Sequence, residues 1–222
     1  MTREVGDRAA FLAGLGPTAF APSHRGQLID VRGGVRRVAY TGEADFNAAL
    51  TALGGVVRAL DGAAALTAFV NDAVDIAKGT KRTARVVMTN EVECASVAYA
   101  LGARSDVEVV DYSDAAAVAT ADVGFTGARG AVARTGSLVV DAGRAGGRTV
   151  SLLPPMHVAL VAEGAIVDEP GDLWRSLQAP MPSNLVQITG PSRSADIELI
   201  ITLGVHGPRA LWVGVIADNV GV

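Results

Sequence analysis

Two stretches near the end of the chain concentrate the residue types that could do chemistry. The first is Ile188-Thr189-Gly190-Pro191-Ser192-Arg193-Ser194-Ala195-Asp196-Ile197-Glu198. It reads as a strand ending at Thr189, a Gly-Pro turn, and a helix over about Ser194–Leu203 that begins on serine caps. Free backbone N–H groups at a helix start, with hydroxyls and a guanidinium beside them, favour a carboxylate or a phosphate. Plain capping accounts for one serine and for the acids Asp196 and Glu198. It does not account for Gly190, Pro191, Ser192, Ser194 and Arg193 together. Arg193 is the expected carboxylate clamp, through bidentate hydrogen bonds. The second stretch is Val205-His206-Gly207-Pro208, where Gly207 and Pro208 hold a histidine in a turn. An imidazole so placed can move a proton, and His206 is the expected proton-transfer group, with Arg193 and Asp196 as the other expected catalytic residues.

Three further segments carry weaker signals. Gly124-Phe125-Thr126-Gly127-Ala128-Arg129-Gly130 spaces its glycines every third residue, which fits neither dinucleotide nor P-loop fingerprints. Ala133-Arg134-Thr135-Gly136-Ser137-Leu138 sets two hydroxyls around a glycine, as a hairpin turn or as a second wall of the same pocket. His157 follows Pro154-Pro155-Met156 and is a second candidate imidazole. Thr126, Gly127, Thr135, Gly136, Ser137 and His157 are therefore taken as candidate ligand-binding positions. No tight His–carboxylate spacing supports a metal site.

The elements that must position these groups follow from pattern. Asp45–Leu60 and Ala63–Ala77 repeat apolar residues at helical period, and residues 4–15 do so more briefly. From Lys81 the pattern changes: Arg85–Thr89 as strand, Val92–Leu101 as helix and Val107–Val110 as strand make a parallel crossover unit. Thr149–Leu153, His157–Val161, Leu185–Thr189 and Leu211–Ile216 read as further strands, and Asp172–Leu177 as a short helix. The expected organisation is an N-terminal helical extension over 1–80 and an α/β domain over 81–222.

Composition narrows the function classes. The chain has 222 residues, of which 50% are hydrophobic and only 5% aromatic, a balance suited to buried parallel strands under Ala-rich helices. A net charge of −4 without a basic block gives no electrostatic footing for nucleic acid. The single cysteine, Cys94, leaves no disulfide, thiolate zinc site or self-contained iron–sulfur cluster within these residues, and it reads as a core residue. No apolar run reaches the roughly 18 residues of a membrane span, and the N-terminus lacks a secretory pattern, so the cytoplasm is the expected compartment.

At Ala121–Ala128, Ala133–Leu138, Leu153–His157 and Ile188–Leu211 the sequence resembles the lactate-utilization (LUD) domain family. The resemblance implies a three-layer α/β/α fold with a mostly parallel sheet, like that of sugar-phosphate isomerases and CoA-transferases. It also implies a cluster-free subunit, one of three proteins that together oxidise L-lactate to pyruvate. The partners would be iron–sulfur subunits, and the redox cofactor would sit on them, with none intrinsic to this chain. The chain departs from the family pattern at Arg134, where an acid is usual, and at Trp212, where a histidine is common. A rival expectation from the same superfamily is a stand-alone enzyme or sensor for a phosphorylated sugar, a nucleotide or a CoA ester. A third is a scaffold whose loops face partner proteins.

Overall fold

The computed structural model describes residues 42–143, 147–177, 184–195, 201–203 and 206–218. Its centre is a six-stranded sheet in the order β1-β12-β7-β4-β2-β3, with every pairing parallel. The strands are β1 (Val56–Leu60), β2 (Ala84–Met88), β3 (Val107–Val110), β4 (Val123–Gly127), β7 (Met156–Ala162) and β12 (Ala210–Ile216). Side chains alternate across the sheet. Trp212 and Ile216 of β12 join one core, and Leu211, Val213 and Val215 join another on the opposite face.

The first face is covered by α2 (Ala63–Lys78) and α3 (Val92–Gly102). Leu66, Phe69, Val70, Ala73 and Val74 of α2, at helical spacing, are buried there with Val97 and Leu101 of α3. Trp212 belongs to this core: its ring lies 5.8 Å from Phe69, and the Arg58 guanidinium stands 5.3 Å over it.

The second face is covered by α1 (Glu43–Ala52) and a four-stranded sheet in the order β8-β5-β6-β9. These strands are β5 (Gly130–Val132), β6 (Ser137–Asp141), β8 (Ile166–Val167) and β9 (Leu185–Thr189). Phe46 and Leu50 of α1 pack there with Ala131 and Leu138. Two short helices, α4 (Ala115–Val118) and α5 (Thr149–Leu152), close the same face beside β2 and β4, where Val118 and Val150 meet Val87. A further helix, α6 (Pro170–Ser176), buries Leu173 against Val132 and Val139. The expected α/β class with a mostly parallel sheet is what is found.

Three expected elements differ. Residues 45–60 are not one helix: α1 stops at Ala52, Gly54 takes φ 86°, and Val56–Leu60 pair in register with β12. The β-branched Val56 and Val57 suit a strand, and two glycines supply the turn before them. The sheet therefore runs across residue 80, with β1 drawn from the segment expected to be a helical extension. Thr149–Leu153 is a single helical turn rather than a strand; the Val150 carbonyl lies against Gly124, where any Cβ would collide with it. The helix expected over Ser194–Leu203 is replaced by an antiparallel ladder between β10 (Arg193–Ala195) and β11 (Ile201–Leu203). Ile200, Ile201 and Thr202 are β-branched and favour that outcome.

Gly136 shows how closely the layers approach. It sits at φ 62°, and a Cβ there would lie 2.6 Å from the Leu50 backbone nitrogen. Gly136→Ala is expected to cost about 2 kcal/mol or more in chemical denaturation, because strain and collision add. Gly102→Ala, with open space at the end of α3, is expected to be neutral or to stabilise by about 0.5–1 kcal/mol. Equal effects at the two positions would contradict this packing.

Candidate functional site

In an open parallel sheet, a crevice forms at the carboxyl ends of adjacent strands whose outgoing chains leave toward opposite faces. Here β2 is such a strand. Its chain turns into α3 on the first face, while β4 leads into β5 and β3 into α4, both on the second face. The end of β2 therefore has a crevice on each side.

Between β2 and β4, the Glu91 carboxylate bridges the gap. Its Oε2 accepts the Gly127 backbone N–H at 2.8 Å and the Thr89 hydroxyl at 3.0 Å. Both Glu91 and Thr89 are buried. Glu93 approaches the same point: a Cβ on Gly127 would lie 2.7 Å from Glu93 Oε2 and 3.1 Å from Glu91 Oε2. Glu93 Oε2 is buried and has no hydrogen-bond partner. Only a glycine fits between these two carboxylates. Cys94 stands behind them, 3.5 Å from the Thr89 hydroxyl. Burial pushes its thiol up to about 12, and the Glu91 and Glu93 charges add to the rise. It is a protonated core thiol, not a nucleophile.

One residue before Gly127, the Thr126 hydroxyl meets His157 Nε2 at 2.9 Å. Both side chains are wholly buried, on the second face of the sheet. His157 Nδ1 has no hydrogen-bond partner. A bare buried lone pair costs less than an orphaned N–H, so the ring is best held with its proton on Nε2, donating to Thr126. Burial lowers the His157 pKa to about 4 and keeps the imidazole neutral. As a buried neutral group, it holds Thr126 rather than exchanging protons with solvent.

The remaining expected residues gather elsewhere. Thr135 and Ser137 share a hydrogen bond of 2.7 Å, and Ser137 bonds to Thr189 at 2.8 Å across the β6–β9 ladder. Gly136 lies between them against α1, and Gly190, at φ 81°, follows Thr189 at a place where a Cβ would lie 3.0 Å from the Leu53 Cβ. Pro191 continues the turn. The Ser192 N–H donates to the Pro208 carbonyl at 2.9 Å, which sets Gly207 beside Ser192. This second group lies on the amino-end side of the large sheet, around the turns that lead into β1 and β12. His206 is exposed in the turn before β12. Arg193 is exposed too, and its Nη2 donates to the Leu53 carbonyl at the end of α1.

Ser194 has a strand backbone, and Asp196 lies outside the described residues. The helix start expected to cradle an anion at Ser194 is thus a strand, and that physical basis for an anion site is gone. Arg134 forms a 2.9 Å ion pair with Glu169. Among the described residues, no three His, Cys, Asp or Glu side chains are grouped to hold a metal ion, and no helix is long and apolar enough to cross a membrane.

Comparison with known proteins finds a family likeness over the second half of the chain. Residues 114–216 match the LUD domain. The chain is 36% identical over 121 residues to lactate utilization protein C of Halalkalibacterium halodurans, covering 50% of this chain and 53% of that one. It is 40% identical over 94 residues to lactate utilization protein C of Bacillus subtilis, covering 40% and 39%. The matches thus span about half the length of these curated relatives or less. The fold matches the crystal structure of a DUF162 family protein from Deinococcus radiodurans, with a TM-score of 0.57 and 24% identity over 78% of this chain and 94% of that one. Glu91 and Glu93 precede the LUD match and were missed in the sequence. Acids at a helix start read as ordinary capping, and the Gly127 N–H that Glu91 accepts is 36 positions away.

The buried imidazole has a pH consequence. An unfolded histidine takes up a proton below about pH 6.5, whereas His157 resists until about pH 4. The folded state therefore holds its full stability above about pH 6.5. It should lose about 3 kcal/mol from this residue as the pH falls from there to about 4. Comparing denaturation of the parent and His157→Gln across that window checks this. An unchanged slope in the variant would assign the loss to other groups. Thr126→Val, which removes the partner of Nε2, is expected to cost about 1–3 kcal/mol.

Proposed function

We propose that the chain is the cluster-free component of a lactate-utilization system, acting with iron–sulfur partner proteins that oxidise L-lactate to pyruvate. The observation that carries this reading is the LUD match over residues 114–216, joined by relatives bearing the name lactate utilization protein C. Oxidising lactate removes two electrons, which an organic or metal cofactor must accept. The side chains here do not suit a cluster: the one cysteine, Cys94, is a buried thiol held protonated by its surroundings. On this reading the redox centre and its electrons belong to the partners.

The role of this chain is then to bind and orient. Arg193 has a guanidinium anchored on the Leu53 carbonyl by one nitrogen, with an exposed side chain around it. Its remaining donors suit a small carboxylate or an acidic side chain of a partner. His206 and Ser192 flank the same turns and would supply a proton or a hydrogen bond. The compartment that suits such a system is the cytoplasm.

The purified chain, given L-lactate and an artificial electron acceptor, is expected to form no pyruvate. Adding the iron–sulfur proteins should produce turnover. Pyruvate formation by the chain alone would overturn the proposal, as would a partner system that works equally well without it. Arg193→Lys keeps the charge but loses the planar fork, and should weaken lactate-dependent turnover of the assembled system by about tenfold.

A further inference from the structure

Gly54, in the turn between α1 and β1, belongs to none of the groups described so far. It sits at φ 86°, and a Cβ built on it would lie 2.7 Å from Arg193 Nη2 and 3.9 Å from Arg193 Cζ. The guanidinium thus occupies the place that any other residue type would fill.

Two sets of contacts bring it there. The last turn of α1 holds no basic residue, so the negative end of its dipole is open to a cation from elsewhere in the chain. The Leu50 and Thr51 carbonyls are taken by the N–H groups of Gly55 and Gly54, at 3.0 and 2.9 Å, and the Leu53 carbonyl beyond them accepts Arg193 Nη2. From the other side, the Arg193 backbone is delivered by a turn that is itself fixed. A Cβ on Gly190 would lie 3.0 Å from the Leu53 Cβ, and the Ser192 N–H is tied to the Pro208 carbonyl at 2.9 Å.

The anchor leaves the useful part of the guanidinium whole. Nη2 carries two hydrogens, one facing Nε–H and one facing Nη1. One bond to Leu53 uses one of them, so one two-pronged edge stays complete for a carboxylate. A free arginine must freeze several torsions when it binds, whereas an anchored one starts ordered.

We propose that Gly54 is the positioning residue for Arg193, seating its guanidinium so that one edge faces a carboxylate of the substrate or of a partner's acidic side chain. The ligand class rests on the lactate reading; the seating does not. A helix cap without a binding role would alter stability alone.

Side-chain NMR of the full chain tests the seating. Arg193 should show separate Nη resonances, which a freely rotating guanidinium averages. Gly54→Ala should average them, while Gly79→Ala, at φ 55° with open space around it, should keep them. In the assembled lactate-oxidising system, Gly54→Ala should raise the lactate KM roughly three- to tenfold with kcat within about twofold. A similar rise in the half-saturating concentration of an iron–sulfur protein instead would place the carboxylate on the partner. Neither rise is expected in Gly79→Ala, nor when Gly54→Ala is added to Arg193→Lys. The proposal is overturned if Gly54→Ala keeps the separate resonances, or if it averages them and changes neither concentration. A parent system without turnover overturns the lactate reading, and the resonances then decide the seating by themselves.

Discussion

A single carboxylate, Glu91, joins the ends of two strands whose chains part company directly afterwards. The β2 chain turns to one face of the sheet and the β4 chain to the other, and past the backbone bond from the Thr89 N–H to the Phe125 carbonyl, at 3.1 Å, side chains close the gap. Glu91 closes it by accepting from the Gly127 backbone and from Thr89. The consequences spread outward. Gly127 has no room for a side chain, Thr126 is set toward His157, and the Glu91 charge adds to the burial that keeps the Cys94 thiol neutral.

The buried polar groups divide by what satisfies them. Ser137 lies in a chain of hydroxyls from Thr135 to Thr189, and Asp122 accepts the Arg85 N–H at 2.9 Å as well as the Lys81 ammonium. These are closed arrangements that hold layers or strands together. His157 and Glu93 each keep one buried atom without a hydrogen bond. Such atoms are costly in a core and are tolerated where the surrounding packing over-determines the side chain. For His157, the packing is that of adjacent parallel strands, with Gly124 on one side and Leu211 on the other.

Much of the α/β order was legible because the crossover β2–α3–β3 and the strands β7, β9 and β12 follow simple patterns over enough residues. The failures share a physical cause. Between Asp45 and Leu60, apolar residues keep a helical spacing through Gly54, yet two glycines and a β-branched pair end the helix and start an edge strand. Thr149–Leu152 is one turn, too short to express any period. At Ser194–Leu203, serine caps outweighed the β-branched residues that follow. The site was read in fragments for a related reason. Thr126, Gly127 and His157 stand out by type, whereas Glu91 gains its importance only from a strand far along the chain. Residues that signal chemistry were visible, but their division between two ends of the sheet depends on strand order.

The ladder of β10 and β11 has a consequence for how binding at Arg193 is felt. Among the described residues its strands pair only with each other, and a two-stranded ribbon by itself is marginal in water. Arg193 stands at the start of that ribbon and reaches across to the final carbonyl of the α1 turn. A partner or ligand that engages the guanidinium therefore grips a local, low-cost ladder and a helix end at once. Recognition at the signature-bearing segment is thereby tied to α1, whose Phe46 and Leu50 pack over the six-stranded sheet.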